Sequence, residues 1–172
     1  MLTALNDNRS IDKHLKQHRF IAYFSKVHHH GLLVVWKIRQ GIKKEIAVER
    51  ISGYVKLFYE INLSQHIDEE ENFLLPLLSP NDILRRKAEN EHLCLREILD
   101  RIFEANSNLS TVERFADMLE AHIRFEEREL FRHLQDRVNL DMITISDDDK
   151  SNDQNKIDEM WIDNFWGTIP IK

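Results

Sequence analysis

The chain carries a single cysteine, Cys94, among its 172 residues. No disulfide can close within it, and no paired-cysteine metal site is available. Such usage fits a reducing compartment, so a cytoplasmic protein is expected. Glycine (4) and proline (3) are scarce too. These residues punctuate turns, and a chain with so few is poorly equipped for many short strands but well equipped for long helices. No apolar run approaches the roughly 20 residues of a membrane span. The opening "MLTALNDNRSIDKH" lacks the basic stretch and apolar centre of a signal peptide. A membrane is therefore not expected as a partner. Excess positive charge is missing as well: the net charge is −6 with histidine neutral. Nucleic acid, which asks for a basic stripe, is not expected either.

What remains is an ordinary soluble composition, 42% hydrophobic and 31% charged, long enough for one domain with a real core. The unusual feature is nine histidines, three of them consecutive in "SKVHHHGLLVVWKIRQG".

Four helical patterns follow one another. The first, about 26–41, starts after Ser25 as N-cap and stops at Gly41 as the residue beyond its end. The second covers about 44–77. The third, 80–105, opens on "SPND", with Ser79 as N-cap, Pro80 in the first turn and Asp82 at its third position. The fourth, 111–137, opens on "STVE", where Ser110 and Glu113 form a capping box. Short connections make neighbours antiparallel. The expected fold is all-α: an up-down-up-down antiparallel four-helix bundle over residues 1–140. It carries an N-terminal helical extension and a C-terminal tail over 141–172. The tail is the acidic linker "SDDDKSNDQNK" followed by the aromatic "IDEMWIDNFWGTIPIK". That aromatic stretch could dock on its own bundle, on a second copy in a homodimer, or on another protein; its own bundle is the expectation, because exposed Trp161, Phe165 and Trp166 would be adhesive.

At about 100° per residue, each helix presents one apolar stripe. On the first, His28 lies near the stripe's centre, His29 at its edge and His30 off it. On the second, His66 and Glu70 lie inside, one turn apart, while Glu71 faces out. On the third, His92 is inside and Arg96 at one side. On the fourth, His122 and Glu126 are inside, again one turn apart, and Glu127 faces away. His14, His18 and His133 read as solvated or supporting residues, Tyr59 as core, and Cys94 as structural. A lone His-x-x-x-Glu means little, since composition alone gives roughly one such pair here. The weight comes from six groups turned inward on four helices at similar height. His28 fits that height least well, being only three residues beyond Ser25.

Four imidazoles and two carboxylates have no place in a dry core, where each unpaired charge costs several kcal/mol. A cation is the simplest way to neutralise them. Imidazole nitrogen with carboxylate oxygen suits iron, manganese or zinc, and two glutamates that can bridge suggest two ions.

The stretches "HHHGLLVVWKIRQG", "HIDEEENFLLPLL", "ENEHLCLREIL" and "AHIRFEERELF", in that order over about residues 18–137, resemble the hemerythrin-like family of HHE cation-binding domains. The resemblance implies two non-haem iron ions. Their ligands would be His66 and Glu70, His92, His122 and Glu126, and either His28 or His29 from the first helix. It implies a role in sensing or handling dioxygen, nitric oxide or iron. A di-iron redox enzyme or an iron–sulfur cluster repair factor is the alternative, and a helical interaction module without metal is the second. Oxygen-carrying members have a second histidine where Arg96 stands, and aspartate where Glu127 stands. The pattern therefore looks closer to the sensor and repair branches than to a reversible carrier.

Overall fold

The computed structural model describes residues 18–104, 107–140 and 156–167, and every regular element among them is helical. His14, most of the N-terminal extension and most of the acidic linker lie outside the described residues. We label the elements α1 (Arg19–Lys43), α2 (48–77), α3 (Ile83–Phe103), α4 (109–137) and α5 (Lys156–Met160). Two of the long helices are not regular throughout. In α2, π turns occupy Tyr59–Leu63 and Glu70–Leu74, and a 3-10 turn closes it at Leu75–Leu77. In α4, a π turn occupies Glu126–Leu130.

The helix ends differ from the sequence expectation in instructive ways. α1 starts at Arg19, capped by His18, whose Nδ1 accepts the Phe20 N–H at 3.2 Å. Ser25 does not cap; its hydroxyl hydrogen-bonds Glu127 on α4. Gly41 is not beyond the end but inside the helix. The left-handed residue there is Glu45, at φ 55°. Its N–H bonds the Ile42 carbonyl, and the Ile46 N–H bonds the Gly41 carbonyl, both at 3.0 Å; this pair of bonds is a Schellman closure. α2 accordingly begins at Val48 and not at 44. Asp82 is the N-cap of α3, accepting from Leu84 N and Arg85 N at 2.9 and 3.2 Å. Asn108 caps α4 through Thr111 N at 2.9 Å, displacing the expected Ser110 box by two residues.

The apolar core comes in two clusters. One gathers Val34 and Ile38 of α1, Ile51, Tyr54 and Phe58 of α2, Leu95 and Leu99 of α3, and Phe115 and Leu119 of α4. The other gathers Phe20 and Phe24 of α1, Leu74 and Leu75 of α2, Ala88 of α3, and Phe131 and Leu134 of α4. On every long helix the buried histidines and glutamates fall at the changeover between clusters. His28 lies between Phe24 and Val34, Glu70 between Ile67 and Leu74, His92 between Ala88 and Leu95, and His122 and Glu126 around Phe125.

Residues 156–167 pack on the first cluster. Ile157 and Phe165 are buried in it. Tyr54 is surrounded by Trp161, Phe165 and Trp166, at 5.5, 5.7 and 4.9 Å between ring centroids. Gly41 and Gly53 make room: a Cβ would lie 2.9 Å from Phe165 in the first case and 3.0 Å from Trp161 in the second. Lys37, buried, donates to the Tyr54 hydroxyl at 3.0 Å and to the Asp158 carboxylate, with its ammonium 4.2 Å from the Trp166 ring centroid. Burial first, and Asp158 second, push the Tyr54 hydroxyl pKa up. Arg50 grips Asp163 through two bonds, at 2.6 and 2.5 Å.

Candidate metal centre

At the changeover between the clusters, α1 supplies His28, α2 His66 and Glu70, α3 His92, and α4 His122 and Glu126. All six side chains are at most 3% exposed. Because α1 starts at Arg19, His28 lies well inside its helix, and the height mismatch read from the sequence disappears. Each glutamate opens a π turn, closed by the Leu75 N–H on the Glu70 carbonyl and the Phe131 N–H on the Glu126 carbonyl. Such turns are rare and concentrate at functional sites.

The histidine Nε2 atoms face the carboxylates. His28 Nε2 lies 3.1 Å from Glu126 and 3.6 Å from Glu70. His66 Nε2 lies 3.1 Å from Glu70, His92 Nε2 3.3 Å from Glu70, and His122 Nε2 3.5 Å from Glu126. These separations are short, yet none is a hydrogen bond. The four Nε2 atoms and all four carboxylate oxygens are buried without a hydrogen-bond partner. Two donors held by one ion at roughly 2.0–2.2 Å sit about 3.0–3.5 Å apart, which matches this spacing. The donor atoms sort into two sets of four, His28–His66–Glu70–Glu126 and Glu70–His92–His122–Glu126, each spanning no more than 4.8 Å. Both glutamates belong to both sets. The residues therefore fit two adjacent cations sharing two carboxylates.

Three histidines are fixed from behind. His28 Nδ1 is 2.8 Å from Glu127, His92 Nδ1 3.0 Å from Glu71, and His122 Nδ1 2.9 Å from Glu91. An ionised carboxylate only accepts, so each Nδ1 carries a proton and each Nε2 is the nitrogen left to face a cation. Glu71 is held in turn by Arg96 through two bonds, at 2.7 and 3.0 Å.

The electrostatics describe what a cation would replace. Burial alone would lower the His28 pKa, but Glu126, Glu127 and Glu70 outweigh it and raise it well above the ordinary value. His92 is raised to about 10; burial again opposes, and Glu70 and Glu71 prevail. Burial pushes Glu70 up, yet His66, His28 and His92 bring it well below the usual carboxylate range. Glu71 drops to about 2, chiefly through His92 and then Arg96. Without a cation, protons held on His28 and His92 offset the charge of Glu70, so a binding cation must displace them.

Of the expected residues, His28, His66, Glu70, His92, His122 and Glu126 come together; His29 does not. It is exposed on the outer side of α1. His30, expected off the apolar face, is buried against Phe58 at 5.9 Å between ring centroids, apart from both donor sets. Glu71 and Glu127, expected to face out, are half-buried and hold His92 and His28. Glu91, which holds His122, carries no expectation from its own helix. A signal for all three exists in the order of residues: each is the immediate neighbour of a donor residue, at the edge of its stripe, where the next helix packs. His133 pairs with the cap Asp82 at 2.7 Å, Tyr59 is half-buried against Phe103 at 5.6 Å, and Cys94 is exposed.

A helical bundle whose buried middle is a ring of histidines and shared glutamates defines a cation-binding class. The hemerythrin HHE cation binding domain matches residues 26–134, and the chain belongs to that family. Comparison with curated proteins and with solved structures gives no match. Among the described residues no helix is long and apolar enough to cross a membrane.

Proposed function

We propose that the chain is a cytoplasmic non-haem di-iron protein that senses or handles dioxygen, nitric oxide or iron. The observation that supports this best is the double donor set: eight buried, unpartnered donor atoms in two groups that share Glu70 and Glu126. Four donors per ion leave positions free for a small ligand such as dioxygen or nitric oxide. Manganese or zinc would suit the same donors. Iron is preferred through the family resemblance. Bound there, two irons would supply one-electron redox chemistry and Lewis acidity.

The chain's own contribution is to hold and to exclude. Glu127, Glu71 and Glu91 keep protons on Nδ1 of three histidines. Phe131, stacked on His28 at 5.3 Å, and Phe24, beside His66 at 5.9 Å, keep water from one side of the centre. Arg96 binds Glu71 and Asp68 and does not enter the centre. The reading takes the bundle as up-down-up-down, which brings all six groups to one level, and takes neither nucleic acid nor a membrane as partner. A redox enzyme or cluster repair factor would use the same centre, and turnover of peroxide or nitric oxide would separate it from a sensor. Untagged protein from iron-replete cells should carry close to two irons per chain and show near-ultraviolet charge-transfer bands. Protein without stoichiometric transition metal would overturn the proposal.

A further inference from the structure

The four histidines are not held alike. On the side of the centre formed by His92 and His122, both Nδ1 atoms rest on carboxylates, Glu71 and Glu91. On the side formed by His28 and His66, only His28 has such a partner, Glu127. His66 Nδ1 is buried with no partner at all. Its ring is positioned by packing alone, against Phe24 and edge-on to His28 at 4.9 Å. A carboxylate behind Nδ1 selects one tautomer and one of the two flipped orientations of the ring. His66 has neither choice made for it. Its ring must be oriented, and its buried N–H left unsatisfied, when a cation binds.

We infer that the two cation positions are unequal: the one between His92 and His122 is tighter and fills first, while the one between His28 and His66 is weaker and exchanges. The inference rests on the proposed dinuclear centre and adds an order of loading to it. Partners behind a ligand histidine are worth about 10–100-fold in metal affinity. An opposing effect exists on the His92–His122 side, where Arg96 and Lys87 add positive charge behind Glu71 and Glu91. Lys87 stands 4.0 Å from Glu91 and both cations are partly exposed, so solvent screens them and they subtract less than ring orientation adds. An exchangeable second position suits a sensor, because the chain would pass between one-ion and two-ion forms as the metal level changes.

The test is a titration of the metal-free full chain with Co²⁺ against a competing chelator, reading cobalt absorption and bound metal per chain. Two one-equivalent steps are expected, the second about 10–100-fold weaker. Repulsion between the cations would also separate the steps, so single variants decide which position fills first. Glu91→Gln should weaken the first step about 10-fold and leave the second nearly unchanged. Glu127→Gln should weaken the second and leave the first. One cooperative two-equivalent step, or Glu127→Gln acting on the first step, would overturn the ordering and leave the dinuclear centre standing. No bound cobalt would overturn both.

Discussion

At the residue scale, the centre separates donors that face the cations from carboxylates that face the donors. Glu70→Ala removes a carboxylate shared by both donor sets and should empty the site. Glu71→Ala removes only the support of His92 and should keep metal, at an affinity about 10–100-fold lower. On α1, His28→Ala should lose metal and His29→Ala should retain it. Elemental analysis of the four variants checks all of this, and an empty His29→Ala protein would contradict the placement of α1. The metal-free protein also has a pH signature. His92 is raised from 6.5 to about 10 in the folded state. Its contribution to stability is therefore complete below about pH 6.5 and is lost as pH rises through 10. The metal-free melting temperature should fall between pH 7 and 10 more steeply than that of the metal-loaded protein, in which His92 would already be neutral. The donors were legible because buried charge at helical spacing has few innocent explanations. Glu71, Glu91 and Glu127 were not, because a wheel treats each helix alone. A residue pointing sideways from one helix, with a long side chain, reaches the neighbour's histidine.

At the element scale, the sequence shows where helices are more reliably than where they end. The Ser25 and Gly41 signals are real residue preferences spent on other tasks: Ser25 bonds Glu127, and Gly41 makes way for Phe165. The closing residue of α1 is instead Glu45 in the left-handed region, where a side chain costs roughly 1–2 kcal/mol. Glu45→Gly should therefore stabilise the protein by about 1 kcal/mol, measurable as a higher urea midpoint at unchanged slope. The π turns left no trace in the pattern of apolar residues. They occur where one carbonyl bonds the N–H five residues on, as Tyr59 with Ser64, Glu70 with Leu75 and Glu126 with Phe131. Two of the three begin at a glutamate of the centre, so the local widening is tied to placing those carboxylates.

At the scale of the whole molecule, the all-helical fold and the polar layer in its middle were both readable, since each follows from which residues recur on one face. Which small residues receive the C-terminal aromatics was not, because Gly41 and Gly53 carry no mark of a partner more than a hundred residues away. A metal that binds only the folded state adds stability by mass action, about 2.7 kcal/mol when free metal is a hundred times its dissociation constant. Chelation should lower the melting temperature and iron should restore it; equal values would mean that the six groups satisfy one another. The divided core carries a further consequence. Histidines and glutamates lie between its two apolar halves, and, among the described residues, 156–167 pack on the half around Tyr54. Stripped of metal, the half around Phe24 and Phe131 should open more readily than the half around Tyr54 and Phe58. Amide hydrogens near Phe24 and Phe131 should then exchange faster than those near Tyr54 and Phe58, and the difference should shrink once metal is bound. The ions would make one cooperative unit out of two, and a cell that withdrew them would leave a chain half open to its proteases.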